Sequence, residues 1–225
     1  MNAATTTVIA IPPDTTGIAR TILNFLGEIP RSAEPPSVSP RVRGETIAAA
    51  ARRRAFVASA SLSLPPGPLG WFTVLPELVA IWKIQARMVA DIAAAYGQSS
   101  TITREQMLYC LFKHTAAQAV RELVVRAGER FIVRHATAQA LRAIAERIGV
   151  KLSQRALGAG LSRLLPLVGA AGVGTYAWFD TRQVARTAIS MFSHEVEFIE
   201  EAVARSIEIP ARRMRLDQLA REAGL

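Results

Sequence analysis

His194, Glu197 and Glu201 lie three and four residues apart in the run His194-Glu195-Val196-Glu197-Phe198-Ile199-Glu200-Glu201, so a helix would put all three on one face. That is the carboxylate–histidine arrangement from which helical bundles build metal centres. Such centres need a second helix with a matched Glu-x-x-His pair, and the sequence has none. The run is therefore read as an acidic solvated face, and no metal or cofactor is expected. His135 is read as a solvated or core histidine on a helix that also bears Arg134 and Arg142. Cys110, the single cysteine, falls in Met107-Leu108-Tyr109-Cys110-Leu111-Phe112 and reads as a small buried hydrophobe. One cysteine also excludes a disulfide framework and multi-cysteine zinc or iron–sulfur sites. Nucleophile elbows, Walker A sequences and dinucleotide fingerprints do not occur. Gly169-x-x-Gly172-x-Gly174 resembles a phosphate loop only in its glycines. Its neighbours are apolar and no Lys-Ser/Thr follows, so close helix packing explains it better.

The basic residues carry the next signal. The 225-residue chain has 27 Lys and Arg against 18 Asp and Glu, a formal net charge of +9. Only Lys83, Lys113 and Lys151 are lysines. The excess sits in the middle of the chain and is absent from its two ends. Such a protein is drawn to phosphates, in nucleic acid or in anionic lipid head groups. Arg52-Arg53-Arg54 and Arg212-Arg213-x-Arg215 are the densest clusters. The first lies between Ala48–Ala51 and Phe56-Val57, a basic amphipathic setting suited to a membrane surface. A purely solubilising role for the cluster stands beside that reading.

These residues must be positioned by helices. Half of the chain is hydrophobic, which excludes a disordered chain. Residues 1–44 read as an irregular N-terminal arm and Pro-rich linker holding a short amphipathic helix over 15–26. Residues 45–225 read as one helical domain. Leu75, Leu78, Trp82, Gln85, Val89, Ile92 and Tyr96 form a continuous stripe at steps of three and four. Tyr96-Gly97 closes that helix. Thr103 with Gln106 predicts a capping box opening a helix that runs to about Arg126. Further helices are expected over 129–148 and 180–205, and a last one after Pro210. The fold class is all-α, a multi-helix bundle with a glycine-rich apolar helix or hairpin at 164–179. No sheet of three or more strands is expected. Neither uncharged window, 55–76 or 164–179, suits a membrane span: prolines and glycines break the first, and the second is short of the roughly 20 residues required. The opening residues lack the basic start and apolar core of a signal peptide.

Helix 75–97, with Leu78, Gln85, Arg87 and Ile92-Ala93-x-x-Tyr96-Gly97, resembles the Tyr-Gly-ending helix of the EcsC protein family. Lys151-Leu152-x-x-Arg155 and Leu165-Pro166-Leu167-Val168-Gly169-Ala170 resemble its second landmark, where a proline and glycine precede a small-residue helix. Asp180-Thr181 stands where relatives often carry asparagine. The resemblance covers roughly residues 45–195. It implies an all-α bacterial protein whose namesake is encoded beside an ABC exporter, and it supplies no catalytic residue.

The functional expectation is a non-enzymatic accessory or scaffold protein, cytoplasmic and peripheral to the inner membrane, with a transport or secretion system as the machinery it would serve. Trp71, Phe72, Leu167, Gly169, Gly172, Gly174, Trp178 and Phe179 are the expected membrane or partner contacts, since aromatic rings favour the wet–apolar boundary. Gly169 and Gly172 are expected where another backbone or a lipid surface comes close, and whether the segment packs in the core or meets lipid is left open. Arg52, Arg53 and Arg54 would meet anionic head groups. The partner would be a membrane surface or an integral membrane protein, with a homo-oligomer as a further option. A soluble helical module binding nucleic acid or protein is the alternative.

Overall fold

The computed structural model describes residues 15–26, 29–62, 70–98, 102–159 and 166–199. Among the described residues seven helices and three strands follow one another: α1 (Thr15–Leu26), α2 (Pro40–Leu62), α3 (Gly70–Ala95), α4 (Arg104–Phe112), α5 (Ala117–Val120), β1 (Val124–Ala127), β2 (Arg130–Arg134), α6 (Ala138–Ala159), α7 (Pro166–Phe192) and β3 (Glu195–Ile199). The protein is mostly helical, as its periodicity predicts. The expected last helix after Pro210 lies outside the described residues.

Local signals set several helix ends. Thr103 caps α4: its side chain accepts from the Gln106 amide and Gln106 Oε1 accepts from the Thr103 amide, at 3.3 and 2.9 Å. Past α3, Gly97 adopts φ +76°, so the Gln98 amide returns to the Ala93 carbonyl and the Gly97 amide to Ala94, both at 2.8 Å. That is the Schellman closure, whose left-handed position a β-carbon would strain. Pro40 opens α2 and Pro166 opens α7, where the missing N–H has no helical partner to lose. Helix α3 starts earlier than the stripe predicts, at Gly70, and runs through Pro76.

The sheet corrects the expectation for the middle and end of the chain. Helix α4 stops at Phe112, and residues 124–134, expected to be helical, form a hairpin. Its loop is Gly128-Glu129 with Gly128 at φ +62°, the position glycine takes first in a type II′ turn. β-branched and aromatic residues flank it, with Phe131 and Val133 buried and Arg130 exposed, a period-two pattern only a few residues long. Residues 195–199, also expected to be helical, form β3, which pairs in parallel with β2 from Arg130↔Glu195 to Arg134↔Ile199. The result is a three-stranded sheet in the order β1-β2-β3. His135 follows β2 and is not on a helix.

Helices α2, α3 and α7 form the main packed layer. α3 and α7 run in parallel and α2 runs against both, as the approaches of Gly44 to Ile92 and Ile189 and of Gly174 to Phe56 require. Trp82 of α3 packs edge-on to Phe112 and tilted to Phe25, at 5.4 and 6.4 Å between ring centroids. Helix α1 lies against α6 and buries Ile18 and Ile22 in the same core. The stretch between α1 and α2 is pinned to α3: the Ser37 amide donates to the Ala95 carbonyl and the Ser32 hydroxyl to Asp91. Arg43 holds Glu34 by two hydrogen bonds, of 2.7 and 3.0 Å, and its guanidinium keeps that carboxyl below the usual carboxylate range. Among the described residues, no helix is long and apolar enough to cross a membrane.

Cys110 sits inside this core, 3.9 Å from the Met191 sulfur, and burial pushes its thiol up to about 12. Thiolate attack requires deprotonation and access, and the fold denies both. A disulfide exchange reagent at neutral pH should therefore leave Cys110 unmodified in the native protein and titrate it fully in denaturant. Stoichiometric reaction of the folded protein would contradict this burial.

Candidate anion-binding and membrane-contact surface

Small residues allow α2 and α7 to approach closely. Ala48, Ala51 and Ala55 of α2 and Ala177, Val184, Ala185 and Ala188 of α7 are all buried. A β-carbon on Gly174 would stand 3.0 Å from the Phe56 ring and 3.2 Å from the Phe56 carbonyl oxygen. One on Gly172 would meet nothing. The close contact within the fold thus belongs to Gly174, while Gly172 faces outward on the exposed side of α7.

Along the edge of the α2–α7 contact, aromatic and cationic side chains meet. The Arg52 guanidinium lies 4.9 Å from the centroid of the Trp178 ring and that of Arg182 at 5.9 Å. Trp178 packs edge-on to Phe179 at 4.9 Å. Phe179 and Tyr176 are half exposed, at 51% and 55%, and Phe56 and Val57 add apolar surface from the facing part of α2. Solvent-exposed aromatic rings beside arginines fit a wet–apolar boundary.

The arginine triplet is divided by the helical turn. Arg52 lines a trough between α2 and α7 together with Arg41, Arg182, Arg186 and His194. Arg54 lines a second trough, between α2 and α3, where Arg43 pairs with Glu34 and Arg87 with Asp91, leaving Arg54 and Lys83. Arg53 is exposed on α2. The first trough carries the larger excess, four arginines against Glu45 among its described lining residues.

Other residues singled out in the sequence fall elsewhere. Trp71 and Phe72 lie in the first turn of α3, and Leu167 and Gly169 in the first turn of α7; their side chains are outside the described residues. Tyr96 and Gly97 form the closure of α3. The Tyr96 hydroxyl is buried without a hydrogen-bond partner, and burial raises its pKa. His194 follows α7, and because Glu197 belongs to a strand, the helical face of His194, Glu197 and Glu201 does not form; Glu201 is outside the described residues. Among the described residues no group of three or more His, Cys, Asp and Glu side chains could hold a metal ion.

The sequence reading missed a buried polar cluster. Gln85 of α3, 1% exposed, donates through Nε2 to Asp180 Oδ2 at 2.7 Å and to the Thr181 hydroxyl oxygen at 3.2 Å. His114, just past α4, holds the other Asp180 oxygen at 2.6 Å through Nε2. A carboxylate only accepts, so this nitrogen carries the proton. His114 Nδ1 is buried without a partner. Asp180 thus ties α3 to α7 and to the end of α4. The available signal was Gln85 itself, an amide in an otherwise apolar stripe. Its partners are 95 and 96 residues away, beyond any local pattern.

A mostly helical domain with a small sheet and a basic inter-helical trough is the class of protein these features define. The EcsC protein family model matches residues 41–194, more than half of the chain, and the chain belongs to that family. No curated protein and no solved structure matches it significantly. The family match begins after α1 and ends before β3.

Proposed function

We propose that this protein is a non-enzymatic accessory or scaffold protein at the cytoplasmic face of the membrane, held there through the outward surface of α2 and α7. The observation that carries this reading is Trp178 flanked by Arg52 and Arg182, beside exposed Phe179 and Tyr176. Guanidiniums would engage anionic head groups while the rings enter the interface. Work beside a transport or secretion system is what the family resemblance adds. The nucleic-acid alternative would be better served by basic residues along one recognition helix with polar base-contacting neighbours. Here they line troughs between helices and border an apolar patch.

Vesicle sedimentation tests the proposal. Anionic vesicles should pellet the protein in low salt, and binding should weaken as the Debye length falls from about 10 Å at 0.1 M to about 3 Å at 1 M. A salt-resistant fraction should remain with lipid and should disappear in Trp178→Ala/Phe179→Ala. Complete release from vesicles in high salt, together with tighter retention on duplex DNA at every salt concentration, would overturn the proposal in favour of a nucleic-acid-binding module.

A further inference from the structure

We infer that the trough between α2 and α7 receives a lipid head group bearing at least two phosphate charges, in preference to the single charge of an ordinary phosphodiester lipid; the inference rests on the membrane-surface reading above. The trough encloses about 610 Å³. Arg41 and Arg52 line it from α2, Arg182 and Arg186 from α7. Among the described residues its one carboxylate, Glu45, stands 3.8 Å from Arg41. Among the described residues, Arg52, Arg182 and Arg186 have no carboxylate partner. Three uncompensated guanidiniums remain, each a planar fork suited to bidentate phosphate contact.

A monoanionic head group would neutralise one of them and leave two cations crowded together beneath it. Two phosphates in one molecule match the surplus better. The trough is long, with Arg41 and Arg52 about 16 Å apart along α2 at the helical rise. At the Arg41 end, His194 Nδ1 lies 2.6 Å from the Ser190 carbonyl oxygen, which can only accept. That nitrogen is therefore the donor, and it fixes the ring against the end of α7. At the other end, Arg52 and Arg182 are both trough wall and neighbours of Trp178, so the cationic trough runs directly into the apolar patch. A soluble polyanion has no use for that continuity, whereas a lipid has acyl chains to place beside it.

The test compares vesicles of phosphatidylcholine containing cardiolipin or phosphatidylglycerol at equal total phosphate charge. Wild-type protein should bind the cardiolipin vesicles several-fold more tightly. Arg186→Gln, at an exposed site, should reduce cardiolipin binding by roughly fivefold, the effect of one arginine at a charged surface, and Arg182→Gln/Arg186→Gln should abolish the preference. Arg53→Gln, outside the trough, should weaken binding to both lipids alike. Circular dichroism of each variant confirms retained helix. Equal wild-type binding to the two anionic vesicles would overturn the head-group inference and leave the membrane-surface reading standing. Binding to neither would remove both. Inorganic pyrophosphate binding as tight as that of cardiolipin vesicles would show that the trough serves a soluble polyanion.

Discussion

Asp180→Ala should destabilise the protein by about 2–4 kcal/mol, because truncation strips acceptors from buried donors and nothing replaces them. The buried Gln85 would lose the 2.7 Å bond from its Nε2, and His114 would lose its 2.6 Å partner while its Nδ1 is already unpaired. Asp180→Asn should cost far less. Its carbonyl oxygen can accept from Gln85, and its amide can donate to His114 Nε2 once the imidazole proton moves to Nδ1. Urea unfolding of the two variants measures the difference. Equal losses for alanine and asparagine would show that the carboxylate charge, rather than the hydrogen-bond geometry, holds the three elements together. Alanine as stable as the parent would show that the cluster contributes nothing.

Gly174→Leu and Gly172→Leu should behave oppositely, although they sit two residues apart on one helix. At Gly174 even the first carbon of a side chain would press on the Phe56 ring and backbone, so leucine must drive α2 from α7, at about 1–3 kcal/mol or more. At Gly172 the added side chain enters open space, and stability should stay within about 0.5 kcal/mol of the parent. The Gly172 variant should instead alter vesicle binding, because its side chain joins the exposed face that carries Tyr176 and Phe179. Melting temperature and sedimentation together separate the two positions. Comparable melting temperatures for both variants would mean that α2 can shift away from α7 at little cost.

Glycine spacing places Gly169 and Gly172 where another backbone or a lipid surface comes close, and within the fold the close backbone contact belongs to Gly174 instead of Gly172. Small residues at 169–174 announce that something approaches this helix; they do not state which side it comes from. The side depends on where Phe56 arrives, and Phe56 is 118 residues earlier in the chain.

Much of the helical skeleton was determined by the sequence alone, because its causes are local. The stripe through Trp82, Gln85 and Val89, the Thr103–Gln106 box and the Gly97 closure are each decided within a few residues, and each appears as expected. The amphipathic face of residues 15–26 likewise forms α1. That Ile18 and Ile22 then complete the main core, against α6, is a tertiary outcome, since an apolar stripe says that it must be covered but not by what.

The strands show the opposite case. Glu195–Ile199 can be written on a helix or a strand, and a five-residue run carries too little periodicity to choose. The choice falls to β2, which presents unpaired backbone groups that only an extended neighbour can satisfy. The candidate surface follows the same rule. Arginines, aromatics and glycines were visible as residue types, but only the antiparallel seating of α2 on α7 joins Arg52 to Trp178 and turns Arg41, Arg182 and Arg186 into one trough. The Asp180 cluster was hidden for the same physical reason: hydrogen bonds between residues nearly a hundred positions apart leave no trace in local spacing, and they exist because packing closes the space around them.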